Sequence, residues 1–195
     1  SYLEKCHGES VDISLFKYPK LVLEAMKDNP PDILALSNYS WNSNLSEHVA
    51  GVAKRLNPNV ITVQGGTNFP HESELQLDYI LSRPNTDLFV ELESEQSFSS
   101  FISKYLKYDG NKKTIFSSPI DGCVYLNPES IHSENPLIVK GGIQKRLKEL
   151  DEIPSPYLSG MMDVFFDGKL TPFIETNRGC PFTCSFCHTG NKYFN

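Results

Sequence analysis

Nowhere in the 195 residues does an apolar run approach the roughly 18–20 residues that a membrane-spanning helix needs. No positively charged stretch followed by an apolar one marks a secretory leader. Basic clusters are missing too. Lysine and arginine number 18 against 24 acidic residues, for a net charge of −6. No short window holds more than three of them, so the footprint of a nucleic-acid binder is not visible. Internal repeats and low-complexity tracts are absent. Cysteine is scarce, at five residues, and three of these fall in one tight loop. That distribution argues for metal use in a reducing compartment, the cytoplasm being the expected one, and against a disulfide framework. Cys6 and Cys123 stand alone and read as free, partly buried thiols.

What is present is enough for a core: 39% hydrophobic and 11% aromatic residues. Tyr2 to His7 reads as the end of a helix closed by Gly8. Val11, Ile13 and Leu15 alternate with Asp12 and Ser14, the period-two signature of a strand. Pro19 opens a helix carrying Leu21, Val22, Ala25 and Met26, and Asn29-Pro-Pro31 ends it. Ile33 to Leu36 is a continuous apolar run, as expected of a strand buried on both faces. A helix with Leu45, Val49, Val52 and Leu56 on one side follows, then a buried strand over Val60 to Val63. Glu72 to Leu81 predicts a helix and Asp87 to Val90 a strand. Phe98, Phe101, Ile102, Tyr105 and Leu106 mark a strongly amphipathic helix.

Strand and helix alternating at this cadence predict an α/β fold with a doubly wound parallel sheet and right-handed crossovers. Ligands bind such sheets at the C-terminal ends of the strands. Ser37 and Gly65-Gly66 sit there: the hydroxyl can donate a hydrogen bond, and glycines without Cβ let a bulky ligand approach the chain. A tight strand-to-helix turn explains the glycine pair equally simply. From Tyr108 to about Leu170 the texture changes. Asp109-Gly-Asn-Lys-Lys113 is a turn, Ile120 to Leu126 suits a hairpin, and the rest reads as a connector with little core of its own. Pro172 to Thr176 then reads as a short buried strand that begins a second domain. The expected division is 1–108, 109–170 and 171–195. The chain starts inside a helix without Met and ends just past Cys187, so it is expected to be an internal fragment.

Cys180, Cys184 and Cys187 follow that strand at spacing C-x3-C-x2-C. Three thiolates within eight residues can converge on one centre if the loop curls around it. A fully protein-ligated [4Fe–4S] cluster takes four thiolates, so three leave one iron open for chemistry. The same spacing suits a structural zinc site, which needs four ligands, with His188 as the fourth.

The loop Arg178-Gly-Cys-Pro181 through Phe186-Cys-His188, entered from Pro172-Phe-Ile-Glu-Thr176, resembles the cluster loop of the radical S-adenosylmethionine (radical SAM) enzymes. The layout Pro31 to Ser37, Gln64-Gly-Gly66, and Val90 to Phe98 is similar to the cobalamin-binding-type domain that precedes many of them. Leu150 to Leu158 resembles the connector found there. The resemblance implies a Rossmann-like, flavodoxin-like first domain and the start of a partial (β/α) TIM barrel. It implies a [4Fe–4S] cluster on Cys180, Cys184 and Cys187, with SAM chelated at the open iron and Phe186 near the SAM adenine. It further implies cobalamin between the two domains, near Ser37, Gly65 and Gly66. The implied chemistry is reductive cleavage of SAM to a 5′-deoxyadenosyl radical, then methyl transfer or rearrangement on a substrate the sequence does not identify. An electron donor of the flavodoxin or ferredoxin kind is the implied partner. The segment that grips SAM is expected beyond Asn195, so the fragment alone is expected to be inactive.

Departures from the pattern are visible. The motif D-x-H-x-x-G, whose His replaces cobalamin's own lower ligand, is absent from these residues; His7 has Lys5 where the Asp would stand. Leu92 and Ser94 occupy positions where relatives commonly have glycine. The other polar candidates have simpler readings. Trp41 is expected to pack beside a helix start, His48 to trim a helix, and His71 and His132 to be solvated. Glu93 and Glu95 are expected to be helix N-terminal acids favoured by the macrodipole. His188, as a fourth ligand, would close the iron that chemistry needs. A cobalamin- or nucleotide-binding sensor with structural zinc remains the alternative. A methylthiotransferase is disfavoured, since two scattered cysteines do not supply the three more it requires.

Overall fold

The computed structural model describes residues 1–175, 177–187 and 190. Two compact units divide the chain, Tyr2–Arg146 and Leu147–Asn195, the latter together with Ser1.

The first unit is built on a five-stranded sheet in chain order. Helix α1 (Tyr2–His7) and α2 (Pro19–Asp28) precede β1 (Ile33–Ser37); α3 (Ser43–Leu56) leads to β2 (Ile61–Gly65) and α4 (Ser73–Leu81) to β3 (Leu88–Val90). Then come α5 (Ser94–Lys107), the short α6 (Lys112–Ile115), β4 (Cys123–Leu126) and β5 (Ile138–Lys140). Pro19 stands in the first turn of α2, where its fixed φ suits the helix and its missing N–H costs nothing. Asn111 caps α6 by accepting from the Thr114 amide at 3.1 Å.

The expected parallel sheet is realised by β1, β2 and β3. The remaining two strands differ, because β4 and β5 pair antiparallel as a hairpin added to the β3 edge. Each parallel step runs in the same direction across the sheet. Right-handed crossovers therefore carry α3 and α4 over one face. There Met26, Val49, Ala53 and Val60 pack with Leu34, and Phe69 and Ile80 pack on Phe89 and Val124. The chain after β3 takes α5 to the opposite face. Phe101, Ile102, Ile115 and Phe116 cover Ile61, Val63, Leu88, Val90 and Tyr125 there, with Leu3 of α1 alongside. Among the described residues the strand order does not reverse, so the winding is one-directional while both faces are covered.

Three expectations are corrected. Residues 11–15 do not join the sheet: Val11 is extended (φ −132°, ψ 134°) but packs against the α5-side core instead. Alternation specifies an extended amphipathic segment, whereas a strand also needs a neighbour for its N–H and C=O groups. As the edge of the sheet, β1 is not buried on both faces, and Ala35 and Ser37 are exposed. The segment from 109 also has a core: Ile115, Phe116, Ile120, Cys123 and Tyr125 are buried, and the first compact unit runs to Arg146, well past 108.

A polar cluster ties the N-terminal ends of the strands, away from the glycines. Lys54 donates to both Asp87 oxygens at 2.8 and 2.7 Å, and the Thr62 amide donates to the same carboxylate at 2.9 Å. Glu47 accepts from the Asn85 amide at 2.7 Å and the Thr86 hydroxyl at 2.9 Å. These bonds hold α3, β2 and β3 together at one end.

In the second unit only single helical turns at Leu150–Glu152 and Asp163–Phe165 are regular among the described residues outside the cysteine loop. The strand expected over 172–176 is not formed at its described positions, and Phe173 and Ile174 are 86% and 66% exposed. A short apolar strand gains its burial from neighbouring strands, and none stands among the described residues of this unit. Thr176 lies outside the described residues.

Candidate cofactor site at the strand ends and the cysteine loop

In the sheet register, Ser37 and Gly65 are directly paired, so the last residues of β1 and β2 end side by side. The chains then lock together. The Asn38 amide donates to the Gly65 carbonyl at 2.7 Å, and the Asn68 amide donates to the Asn38 carbonyl at 3.1 Å. The two glycines separate here. Gly66 has φ +139°, and a Cβ on it would lie 2.5 Å from the Asn38 carbonyl oxygen. Its missing side chain is required by the fold itself. A Cβ on Gly65 would meet Val90 at ordinary contact distance, its Cβ at 3.6 Å and its carbonyl oxygen at 3.9 Å. Nothing in the protein's own packing demands glycine at 65.

Ser37 is exposed, and its hydroxyl accepts from the Asn42 side-chain amide at 2.7 Å. Accepting leaves its own proton available for a ligand. Asn42 also accepts from the Tyr39 amide at 2.8 Å, and the Ser46 hydroxyl donates to the Ser37 carbonyl at 2.7 Å. The loop over 38–42 is therefore held from both sides. Behind it lies a network the sequence reading missed. Asn38 is fully buried, and its Oδ1 accepts from the Tyr79 hydroxyl at 2.9 Å. Asn68 donates to that hydroxyl at 2.8 Å, while Asn38 Nδ2 is buried with no hydrogen-bond partner. An asparagine directly after an apolar run was the one signal on offer.

Trp41 is not packed as expected. It is 79% exposed, and its ring lies flat on Tyr39 at 4.8 Å with an interplanar angle of 1°. At the end of β3, Glu91 is 7% exposed and accepts from Gln76 at 2.6 Å and from Lys140 at 2.9 Å. Glu93 does precede α5, yet its side chain does not cap the helix and accepts instead from Arg146 Nε at 2.8 Å. Its second oxygen is buried with no hydrogen-bond partner. Leu92, at φ +57°, adopts the left-handed conformation that favours glycine, at a position where the resemblance has glycine. Cys123 is no ligand candidate: burial, then the charges of Glu91 and Asp121, push its thiol up to about 12.

In the second unit, Cys180 is half-buried and Cys184 and Cys187 are exposed. Two successive turns shape the loop: the Cys187 amide donates to the Cys184 carbonyl at 3.1 Å and the Gly190 amide to the Cys187 carbonyl at 3.0 Å. Arg178 donates to Glu175 at 3.1 Å. Phe186 is 92% exposed. Among the described residues no three Cys, His, Asp or Glu side chains form a metal-holding group, so the structure does not bring the three thiols together. Thiols have no attraction for one another, and a metal is what gathers them. His188 lies outside the described residues.

The donor sets fit the implied groups unequally. Three soft sulfur ligands in eight residues match the chemistry of iron–sulfur ligation. Room at Gly65 and the donating hydroxyl of Ser37 suit a bulky polar ligand at the strand ends. Gly66 serves the strand crossing whether or not a ligand is there.

No family model matches the chain. The curated proteins that the chain resembles include methyltransferases. The chain is 32% identical over 167 residues, 83% of its length, to the cobalamin-dependent radical SAM methyltransferase TokK of Streptomyces tokunonensis. It is 29% identical over 187 residues, 90% of its length, to the 2-(S-pantetheinyl)-carbapenam-3-carboxylate methyltransferase of Streptantibioticus cattleyicolor. An anaerobic magnesium-protoporphyrin IX monomethyl ester cyclase of Rubrivivax gelatinosus is 24% identical over 85% of the chain. The chain spans 22%, 25% and 28% of these three proteins' own lengths.

Proposed function

We propose that this chain is part of a cobalamin-associated radical SAM enzyme, and that the enzyme transfers a methyl group to a small-molecule substrate. The carrying observation is the triplet Cys180, Cys184 and Cys187 within a chain that aligns over 83% of its length with a cobalamin-dependent radical SAM methyltransferase. Methyl transfer is preferred over ring closure because the relatives at 32% and 29% identity are methyltransferases and the cyclase stands at 24%. The sensor with structural zinc has no counterpart among these relatives.

In this reading the three cysteines hold a [4Fe–4S] cluster through their thiolates. When bound, the cluster and cobalamin supply the one-electron cleavage of SAM and the methyl-group chemistry. The chain's own residues bind and orient. Phe186 offers an apolar face to the SAM adenine. Ser37 donates to a polar edge of cobalamin, and Gly65 lets that cofactor lie against the backbone. The network of Tyr79 and Asn68 on buried Asn38 holds the loop that follows Ser37. Reducing equivalents come from a flavodoxin- or ferredoxin-type donor, as suits a cytoplasmic protein.

Anaerobic reconstitution of the intact protein with iron and sulfide tests this. The expected result is about four irons per chain and a reduced-cluster paramagnetic signal that changes when SAM is added. Both are lost in Cys184→Ala. Tight zinc with no cluster signal overturns the radical reading.

A further inference from the structure

Just past the end of β3 the chain departs twice from ordinary local structure. Leu92 has φ +57°, a conformation that is costly for a bulky L-residue and persists only where the surroundings over-determine it. Glu93 then stands at the N-cap of α5 but makes no side-chain bond to that helix. Its Oε1 accepts from Arg146 Nε at 2.8 Å, with the two side chains 13% and 23% exposed. Its Oε2 is buried with no hydrogen-bond partner. A carboxylate enclosed in this way depends on its cation, because little water reaches it. Arg146 is the last residue of the first compact unit. The stretch leading to it is tethered at Gly142, whose carbonyl accepts from the Gly122 amide at 2.7 Å and whose amide donates to Asp121 at 3.1 Å. Residues 143–148 carry no helix or strand, and Lys145 and Lys148 are exposed on either side of Arg146.

We infer that Glu93 and Arg146 form a two-position clasp, closed while Leu92 is left-handed and released when Leu92 relaxes to an extended conformation and carries Glu93 away. Backbone strain at Leu92 favours release, and the mostly buried ion pair opposes it. The clasp couples the loop after β3 to the freedom of the chain where it leaves the first unit. Val90 is paired with Gly65, so a change at the strand ends acts through Leu92 and Glu93 on a residue 53 positions further along.

Brief digestion of the intact protein with a lysine-specific protease reads the clasp, since cutting tracks the population of the open form when reclosing is fast. Cleavage after Lys145 and Lys148 reports release, and cleavage after the exposed Lys27 of α2 reports loosening of the unit as a whole. Glu93→Gln keeps the shape and loses the charge-assisted bond. It should be cut about fivefold faster at the first two sites and at the wild-type rate after Lys27. Adding Glu93→Gln to Arg146→Ala should bring no further gain, the mark of two groups acting as one. Leu92→Gly tolerates a positive φ and should be cut no faster than wild type, whereas Leu92→Val should be cut about threefold faster. A Glu93→Gln protein cut at the wild-type rate after Lys145 and Lys148 refutes the clasp. Equal acceleration after Lys27 also refutes it, because the pair is then a brace for the whole unit. If Leu92→Val keeps the wild-type rate, or Leu92→Gly is cut as fast as Glu93→Gln, the pair is a fixed tie and the coupling through Leu92 is wrong.

Discussion

Adding one methyl group at Gly66 and one at Gly65 should have opposite consequences, although the residues are adjacent. At Gly66 the new Cβ would sit 2.5 Å from the Asn38 carbonyl oxygen, 3.0 Å from its carbon and 3.1 Å from its nitrogen. All three are backbone atoms, so no flexible side chain can swing aside. They are also committed: that nitrogen donates to Gly65 and that oxygen accepts from Asn68. A φ of +139° adds a conformation that L-residues rarely adopt. Strain at such a residue costs about 1–3 kcal/mol and overpacking a similar amount. Gly66→Ala should therefore lose about 3 kcal/mol, or roughly 6–12 °C in melting temperature for a domain of this size. At Gly65 the methyl meets Val90 at 3.6 Å without a clash, and alanine is favoured over glycine in a strand by about 0.5–1 kcal/mol. Gly65→Ala should match or slightly exceed wild type in stability while retaining less hydroxocobalamin. Thermal melts followed by far-ultraviolet circular dichroism, with equilibrium dialysis alongside, read both. A Gly66→Ala protein melting within about 2 °C of wild type refutes the close-approach argument. A Gly65→Ala protein that unfolds with it assigns both glycines to the fold and removes Gly65 from the cofactor site.

Two further outcomes follow from buried charge. Burial holds the Cys123 thiol at about 12 and the Tyr125 hydroxyl at about 12, against ordinary values of 9.0 and 10.0. Between those limits the folded state keeps protons that the unfolded chain gives up, so stability is intact below about pH 9 and falls as pH rises toward 12. Urea titrations from pH 8 to 11 should show that fall, and Cys123→Ala should make it shallower; an unchanged slope would count against the buried thiol as a source. Lys140→Ala leaves the Glu91 carboxylate, whose side chain is 6% exposed, with Gln76 as its remaining side-chain donor among the described residues. A loss of about 1–3 kcal/mol is expected by urea unfolding, discounted because Lys140 is itself partly exposed. A loss below about 0.5 kcal/mol would show that the pair contributes little.

The periodic elements were legible. Apolar spacing over 45–56 and 98–106 announced α3 and α5, and the runs over 60–63 and 87–90 announced β2 and β3. Such patterns are local, since they report which side of an element meets the core. They do not report the neighbour. Residues 11–15 and 172–176 had strand-like patterns, yet the structure pairs neither at its described positions. The hairpin read over 120–126 is met by β4, which pairs antiparallel with β5; its antiparallel pairing with β3 was beyond reach, because it depends on how α5 and α6 return the chain to that edge.

At the candidate site, the sequence by itself determined the donor chemistry: three thiols at C-x3-C-x2-C, a serine and two glycines at strand ends. Residue type and spacing suffice for that, because ligand class follows from the atoms a side chain carries. Only the tertiary structure decided that Gly66 answers to Asn38, that Glu93 pairs with Arg146, and that Trp41 faces solvent. Gly66 and Asn38 lie 28 residues apart, and Glu93 and Arg146 lie 53 apart. Such contacts exist only once the sheet has placed its strand ends together, and no local pattern encodes them.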